Sequence, residues 1–304
     1  MRIFHTDRFV LPLPPGHRFP MEKYRLLRER VETSGLAGED GLVEPPAASD
    51  AQILRAHDRG YLERVLSGRL SAAEQRRIGL PWSEAMVERS RRSSGATVEA
   101  CRSALAEGVA VSLAGGTHHA FRDRGEGFCV FNDSAIAALA MQAEGLARRV
   151  LVCDCDVHQG NGTAAILADD PSVFTFSIHG ANNFPFRKEV GDLDIELPDG
   201  TGDADYLAAL ASGLHRALSA AQPDLVVYLA GADPHEGDRL GRLALSKRGL
   251  AQRDRFVLDT CADAGAAVAV VMAGGYPRVM DDVVDIHLET VRIAAALHDR
   301  LAGR

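Results

Sequence analysis

Residues 150–162 read VLVCDCDVHQGNG, and this stretch decides the fold class. It begins as an unbroken apolar run and ends in aspartate, histidine and glycine. Runs of Val, Leu, Ile and Ala without alternating polar residues are typical of strands buried on both faces of a parallel sheet. Beside Val150–Cys155, the same character is found in Val109–Leu113, Val173–Ile178, Leu225–Leu229 and Ala267–Met272.

Segments with a helical pattern lie between these runs, as the crossovers between parallel strands require. The pattern predicts helices over Glu22–Glu32, Asp50–Val65, Ser83–Gly108, Asp133–Arg148 and Ser246–Asp263, and Ser71 with Glu74 matches a capping box. We therefore predict an α/β fold in a single domain over residues 1–304. Its central sheet is mostly parallel, with helices on both faces.

Composition and charge exclude several classes of protein. With 304 residues, 46% hydrophobic, the chain has enough apolar material for a large core and is not disordered. A net charge of −8 argues against direct binding of nucleic acid. Five cysteines without a C-x-x-C pair favour a reducing compartment, and we expect the cytoplasm. No segment is apolar for about 18 residues, so no membrane span is expected.

Polar residues follow all five predicted strands. The continuations are GGTHH (115–119), DCDVHQGNG (154–162), SIHG (177–180), AGADPHEGD (230–238) and AGGY (273–276). In open parallel sheets, ligands bind at the carboxyl ends of the strands. The sequence therefore predicts a functional site along this edge.

Asp156 and His158 have the spacing of metal ligands. They are two residues apart at the end of an extended segment, so their side chains project to the same side. Asp233 occupies the equivalent position after a neighbouring strand. Asp154 and Asp156 leave an apolar strand together, and such carboxylates repel one another unless a cation compensates. Two carboxylates and one imidazole leave a coordination position open, which is typical of a catalytic metal.

Three further residues favour catalysis. His118 and His119 follow two glycines, whose permissive backbone allows both rings to face one site, and imidazole suits proton transfer near neutral pH. Asp154 and Asn161 are candidates to orient the two rings. Tyr276, after a Gly-Gly turn, could donate to a developing oxyanion.

Taken in their order along the chain, these segments make the sequence resemble the histone deacetylase family of the arginase/deacetylase fold. It is most similar to the class IV branch and its bacterial relatives. The resemblance is carried by HRFPMEKYR (17–25), GGTHHAF (115–121), GFCVFND (127–133), DCDVHQGNGT (154–163), GADPHEGDRLG (231–241) and AGGY (273–276).

The resemblance implies a zinc-dependent enzyme that removes acetyl or longer acyl groups from lysine side chains. Asp156, His158 and Asp233 would bind Zn²⁺, although the oxygen-rich ligand set also suits Fe²⁺. His118 and His119 would transfer protons, with Asp154 and Asn161 as their partners, and Tyr276 would polarise the acyl carbonyl. We favour His119 as the acid/base.

The resemblance also implies a substrate tunnel and a structural potassium ion. The tunnel would be formed by Gly127, Phe128, Phe184 and Leu240. Potassium would be held by Ser177 and by main-chain oxygens of Asp154, Asp156, His158 and Ile178.

The sequence leaves alternatives open. The substrate could be an acetylpolyamine or another small acylamine, or the chain could bind a metal without turnover. A binuclear manganese ureohydrolase is disfavoured, because Gln159 and Gly160 occupy the positions where a further aspartate is needed. Glu84 is the one candidate for the acidic residue that grips the substrate backbone in several relatives, and Arg25 aligns with an arginine of the product-exit channel. The oligomeric state is left open.

Overall fold

The chain forms one eight-stranded sheet in which every pair of neighbouring strands is parallel. This computed structural model describes residues 1–38 and 41–303. The strands are β1 (Ile3–Phe4), β2 (Leu42–Val43), β3 (Val109–Ser112), β4 (Val150–Asp154), β5 (Val173–Gly180), β6 (Leu193–Leu197), β7 (Leu225–Leu229) and β8 (Ala267–Val271). Their order across the sheet is β2-β1-β3-β8-β7-β4-β5-β6.

Helices cover both faces of the sheet. They are α1 (Glu22–Ser34), α2 (Asp50–Ala56), α3 (Arg59–Leu66), α4 (Ala72–Ile78), α5 (Glu84–Glu107), α6 (Asp133–Ala143), α7 (Asn161–Leu167), α8 (Asp203–Ala221), α9 (Lys247–Asp263) and α10 (Met280–Ala302). Leu151 and Cys153 of β4 belong to a core cluster with α1, α8, α9 and α10, whereas Val150 and Val152 belong to a second cluster with α2 to α7. Successive strand residues point to opposite faces, so one apolar run supplies two cores. The predicted α/β fold is confirmed.

Two predicted helices have different bounds in the structure. The segment Asp50–Val65 was expected to be one helix, but the backbone is extended at His57 and Asp58, which separate α2 from α3. The buried His57 ring accepts a hydrogen bond from the main chain of Asn132, which fixes this break. The helix predicted to reach Arg148 ends at Ala143, shortly before Gly145 with φ 71°. Glycine adopts this left-handed conformation without strain, so it ends helices readily.

The parallel arrangement brings the polar strand ends to one edge. Asp154, the last residue of β4, is in register with Ser177 of β5 and Leu229 of β7. Residues that follow β4, β7 and β8 therefore leave the sheet side by side. Among the described residues, no helix combines the length and apolarity needed to span a bilayer. All five cysteines are unpaired and buried.

Candidate active site

Asp156, His158 and Asp233 form a buried cluster at this edge of the sheet. One ligand atom from each lies within 4.8 Å of the others. Nδ1 of His158 is 3.0 Å from Oδ1 of Asp156 and 3.4 Å from Oδ2 of Asp233. The structure therefore brings together the three residues that the sequence predicts as metal ligands.

Main-chain groups hold the two carboxylates in place. The amide of Val157 donates to Oδ1 of Asp233 at 2.9 Å, and the amide of Gly274 donates to Oδ2 of Asp156 at 2.8 Å. A Cβ atom at Gly274 would overlap with both carboxylates. Glycine is required here by the close approach of the backbone, which the motif AGGY provides.

The cluster fits a divalent cation. Oδ2 of Asp233 is buried, and no group in residues 1–38 and 41–303 donates a hydrogen bond to it, although buried polar atoms normally have such a partner. Burial, and then the charge of Asp156, raise the pKa of the Asp233 carboxyl to about 7. A cation would relieve both penalties. Three protein ligands with an imidazole and two carboxylates suit a catalytic metal site.

His118 and His119 lie next to the cluster, each oriented by a partner. Gly115 and Gly116 have φ values of 94° and 73°, which turn the chain so that both rings face inward. Nδ1 of His118 donates to Asp154 at 2.6 Å, and Nδ1 of His119 donates to Asn161 at 2.7 Å. Their Nε2 atoms are 3.2 Å apart.

The two partners give the histidines opposite electrostatics. Burial opposes protonation of His118, but the charges of Asp154 and Asp156 outweigh it and raise its pKa to about 9. Burial, followed by the charges of His118 and His158, lowers the pKa of His119 well below its ordinary value. Two imidazolium ions cannot coexist this closely, so the arrangement favours a neutral His119 beside a charged His118.

Tyr276 follows β8 and is fixed by Asp238. Its amide donates to Oδ2 of Asp238 at 2.6 Å, while Oδ1 of the same side chain accepts from the amides of Leu240 and Gly241. Asp238 thus ties a residue of the predicted tunnel to the tyrosine. Burial raises the pKa of the Tyr276 phenol well above its ordinary value, so the hydroxyl stays protonated and can donate.

A single cavity of about 590 Å³ joins these groups, a size typical of small-molecule sites. Its lining includes the proposed metal ligands, both histidines, Tyr276 and the predicted tunnel residues Gly127, Phe128, Phe184 and Leu240. The Phe184 ring lies 4.9 Å from that of His119, and the Phe128 ring lies 5.7 Å from that of Tyr276. A Cβ atom at Gly127 would press on the His119 ring.

A family model described as histone deacetylase domain matches residues 17–291. The chain belongs to the histone deacetylase family. An uncharacterized protein of Picosynechococcus is 48% identical over 94% of this chain and 95% of its own length. The histone deacetylase-like amidohydrolase of Pseudomonas aeruginosa is 32% identical, over 87% of this chain and 74% of that protein.

Solved structures of the family share the fold. The crystal structure of a histone deacetylase homolog from Aquifex aeolicus superimposes with a TM-score of 0.83, covering 100% of this chain and 84% of that chain at 23% identity. Such a likeness supports the arginase/deacetylase architecture. Family membership makes this chain a hydrolase of the deacetylase type.

The predicted potassium residues lie beside the catalytic cluster. Ser177 is in register with Asp154, and its hydroxyl is 2.9 Å from Nδ1 of His179. Asp154 and Ser177 both line a small cavity of about 10 Å³, roughly the room one water-sized particle needs. Potassium binding by this group of residues stays a prediction.

Two residues singled out in the sequence lie away from the cavity. Arg25 is on the outer face of α1, where it pairs with Glu22 and Glu29. Glu84 begins α5 and lines a separate surface depression. Neither position supports the role suggested for it, and among the acidic residues that line the active-site cavity the partly exposed one is Glu126.

Other buried polar residues support the site but were not found in the sequence. Arg253 donates to the main-chain oxygens of Gly231 and Cys155 at 2.6 and 3.2 Å. It thereby holds the ends of β7 and β4, from which the proposed metal ligands project. Asp133 accepts hydrogen bonds from Thr97, Thr117 and the amide of Gly116, which fixes the turn before the histidine pair. Arg253 shares the buried face of α9 with Leu250 and Val257, and this position on the helix is the sequence signal that could have identified it.

Proposed function

We propose that the chain is a metal-dependent lysine deacylase that hydrolyses the amide of ε-acyl-lysine in proteins or peptides. The observation that carries this proposal is the cluster of Asp156, His158 and Asp233 in the same cavity as a histidine pair and the half-buried Tyr276. Hydrolysis adds the oxygen of water to the acyl carbon, breaks its bond to the lysine nitrogen, and releases a carboxylic acid and the amine.

Zinc is the proposed metal, with Fe²⁺ as the alternative that an oxygen-rich ligand set allows. When bound by Asp156, His158 and Asp233, the metal would polarise the acyl carbonyl and lower the pKa of water. A potassium ion near Asp154 and Ser177 would be structural. The cytoplasm stays the predicted location.

His119 is proposed as the acid/base. Its Nδ1 donates to Asn161, which leaves Nε2 as the unprotonated ring nitrogen. This atom, 3.2 Å from Nε2 of His118, would take a proton from the attacking water and pass it to the leaving amine. His118, held by Asp154, would contribute positive charge beside the reacting carbonyl. The Tyr276 hydroxyl would donate to the oxygen as negative charge develops there.

The tunnel favours a long, thin apolar substrate segment. Phe128 and Phe184 line it, and the four methylenes of lysine would gain about 3 kcal/mol there, at roughly 0.8 kcal/mol each. Exposed Arg18, Arg77 and Arg242 also line the cavity, against one partly exposed glutamate, Glu126. This excess of positive charge disfavours acetylpolyamines, which are polycations, relative to acyl-lysine peptides.

A substrate panel tests the proposal. Metal-replete protein should deacetylate an acetyl-lysine peptide with a kcat/KM well above that for N-acetylputrescine or acetylspermidine. The amount of acetate released measures the turnover of each substrate. Activity on the small acylamines alone would transfer the function to a small-molecule amidohydrolase. Metal and peptide binding without turnover would instead identify a non-catalytic binding protein.

We also expect kcat/KM to rise with acyl length beyond acetyl. The lining of the same cavity also includes the buried apolar residues Leu11 and Leu80, and each buried methylene contributes about 0.8 kcal/mol until the space is filled. Acetyl-, butyryl-, octanoyl- and myristoyl-lysine peptides of one sequence, assayed in parallel, measure this. A steady decline from acetyl onward would mean that the acyl pocket is closed.

A further inference from the structure

Behind the catalytic groups, the cavity is lined by buried residues that the proposed mechanism does not use. They form what we term the inner chamber: Leu11, Lys23, Tyr24, Leu80, Arg89 and Ser93. Two of the six are cations, and both are almost fully buried, with exposed fractions of 4% for Lys23 and 5% for Arg89.

Lys23 lies directly behind the catalytic tyrosine. Its Nζ is 3.3 and 3.4 Å from the carbonyl oxygens of Ala273 and Gly275, on either side of Gly274, whose amide holds Asp156. It is also 5.8 Å from the centre of the Tyr276 ring. Both hydrogen bonds are long, and an ammonium group has three donors. Lys23 can therefore donate to a further acceptor at the back of the site.

Arg89 comes from α5, on the other side of the chamber. Its Nη1 donates to the carbonyl oxygens of Thr6 and Phe9, and its guanidinium carbon is 4.2 Å from the centre of the Tyr24 ring. The Tyr24 ring also has the Lys23 ammonium 5.2 Å from its centre. One aromatic ring thus contacts both cations.

No carboxylate neutralises these cations within residues 1–38 and 41–303: neither Lys23 nor Arg89 forms an ion pair there. Asp7, which lies between the two residues whose carbonyl oxygens Arg89 contacts, is engaged by His5 and Arg28, at 2.6 and 3.0 Å. Buried charges are normally paired because their desolvation is costly. Two buried cations that share a cavity and lack a carboxylate partner indicate a site for an anion.

We propose that the inner chamber binds the terminal carboxylate of dicarboxylic acyl groups such as glutaryl or succinyl, making these groups preferred over neutral acyl groups of equal length. The inference rests on the proposed lysine deacylase function, because the acyl carbonyl must lie at the metal cluster for its far end to reach Lys23 and Arg89. Both cations can form charge-assisted hydrogen bonds with a carboxylate, while a neutral methyl group in its place leaves them unpaired.

Peptides bearing glutaryl-lysine and pentanoyl-lysine form a matched pair, since the two acyl groups have the same number of carbons and differ in the terminal charge. We expect kcat/KM to favour glutaryl by roughly tenfold to a hundredfold, the range for hydrogen bonds to a charged group. In Lys23→Met this ratio should fall to about one or below, and Lys23→Arg should restore it. Arg25→Met removes the same charge two residues away on the exposed face of α1, and it should leave the ratio unchanged.

The ratio also separates this role from that of a site for the released acid. If the two cations only assist departure of the product, Lys23→Met would slow hydrolysis of both peptides equally. An unchanged ratio of kcat/KM for glutaryl over pentanoyl would therefore overturn the proposal. Binding of the same two peptides to the His119→Ala variant, measured by fluorescence polarisation, does not depend on turnover. Tighter binding of the glutaryl peptide there would support the chamber even if hydrolysis were absent, and equal binding would refute it.

Discussion

Replacing Asp233 with alanine should remove the catalytic metal and lower kcat by roughly 10³-fold or more, since a metal supplies several kcal/mol of transition-state stabilisation. Asp233 is fully buried, and in the part of the chain that the structure describes nothing donates a hydrogen bond to its Oδ2. Its loss leaves only Asp156 and His158 to hold the ion. Elemental analysis of the purified variant and kcat on an acetyl-lysine peptide measure the two effects.

Two controls separate metal loss from unfolding. Asp233→Asn keeps an oxygen that can accept from the Val157 amide, so its fold should be retained while metal affinity falls. Asp259→Asn changes a partly exposed carboxylate that pairs with Arg300, away from the cavity lining, and it should retain both metal and activity. If the alanine variant were folded and still active with full metal content, Asp233 would not be a ligand.

Tyr276→Phe should lower kcat by roughly 10² to 10³-fold with little change in KM, the usual loss for one oxyanion donor. Burial raises the pKa of the phenol and so keeps it protonated, which allows its hydroxyl to donate a hydrogen bond to the oxyanion. The Phe variant keeps the ring that contacts Phe128, and metal content should be unaffected. Steady-state kinetics on the acetyl-lysine peptide measure kcat and KM separately.

Tyr206→Phe is the matched control for the loss of a buried hydroxyl. Tyr206 lies on the buried face of α8, and its hydroxyl has no hydrogen-bond partner among the described residues, so its removal should leave kcat unchanged. An increase in KM at constant kcat for Tyr276→Phe would make Tyr276 a binding residue, and its assigned part in the reaction would be wrong.

The fold was predictable where the hydrophobic pattern was strong. The central strands are continuous apolar runs because both faces of the sheet are covered, and their ends carry the motifs. The strands at the two edges of the sheet, and β1 next to one of them, were not found. β1 and β2 have two residues each, and β6 (LDIEL) is only partly buried, so none of them contains a long apolar run. α8 and α10 were also missed, although both have an apolar face.

The site was predictable where its residues follow a strand in the same motif. The inner chamber was not, because Lys23 and Arg89 come from two helices 66 positions apart in the chain. One signal was available for Lys23: it shares the buried face of α1 with Tyr24, Leu27 and Val31, whereas Arg25 lies outside this face. A basic residue at an apolar position of an amphipathic helix is a better candidate for a buried site than its neighbours.

Metal titration of the stripped protein tests the proposed hydrolysis most directly. Protein freed of divalent ions with a chelator should be inactive on an acetyl-lysine peptide, and activity should return in proportion to added Zn²⁺ or Fe²⁺, reaching its maximum at about one equivalent per chain. Full activity in the metal-free protein, or a chain that binds one equivalent and still fails to release acid from any ε-acyl-lysine peptide, would contradict a metal-dependent lysine deacylase.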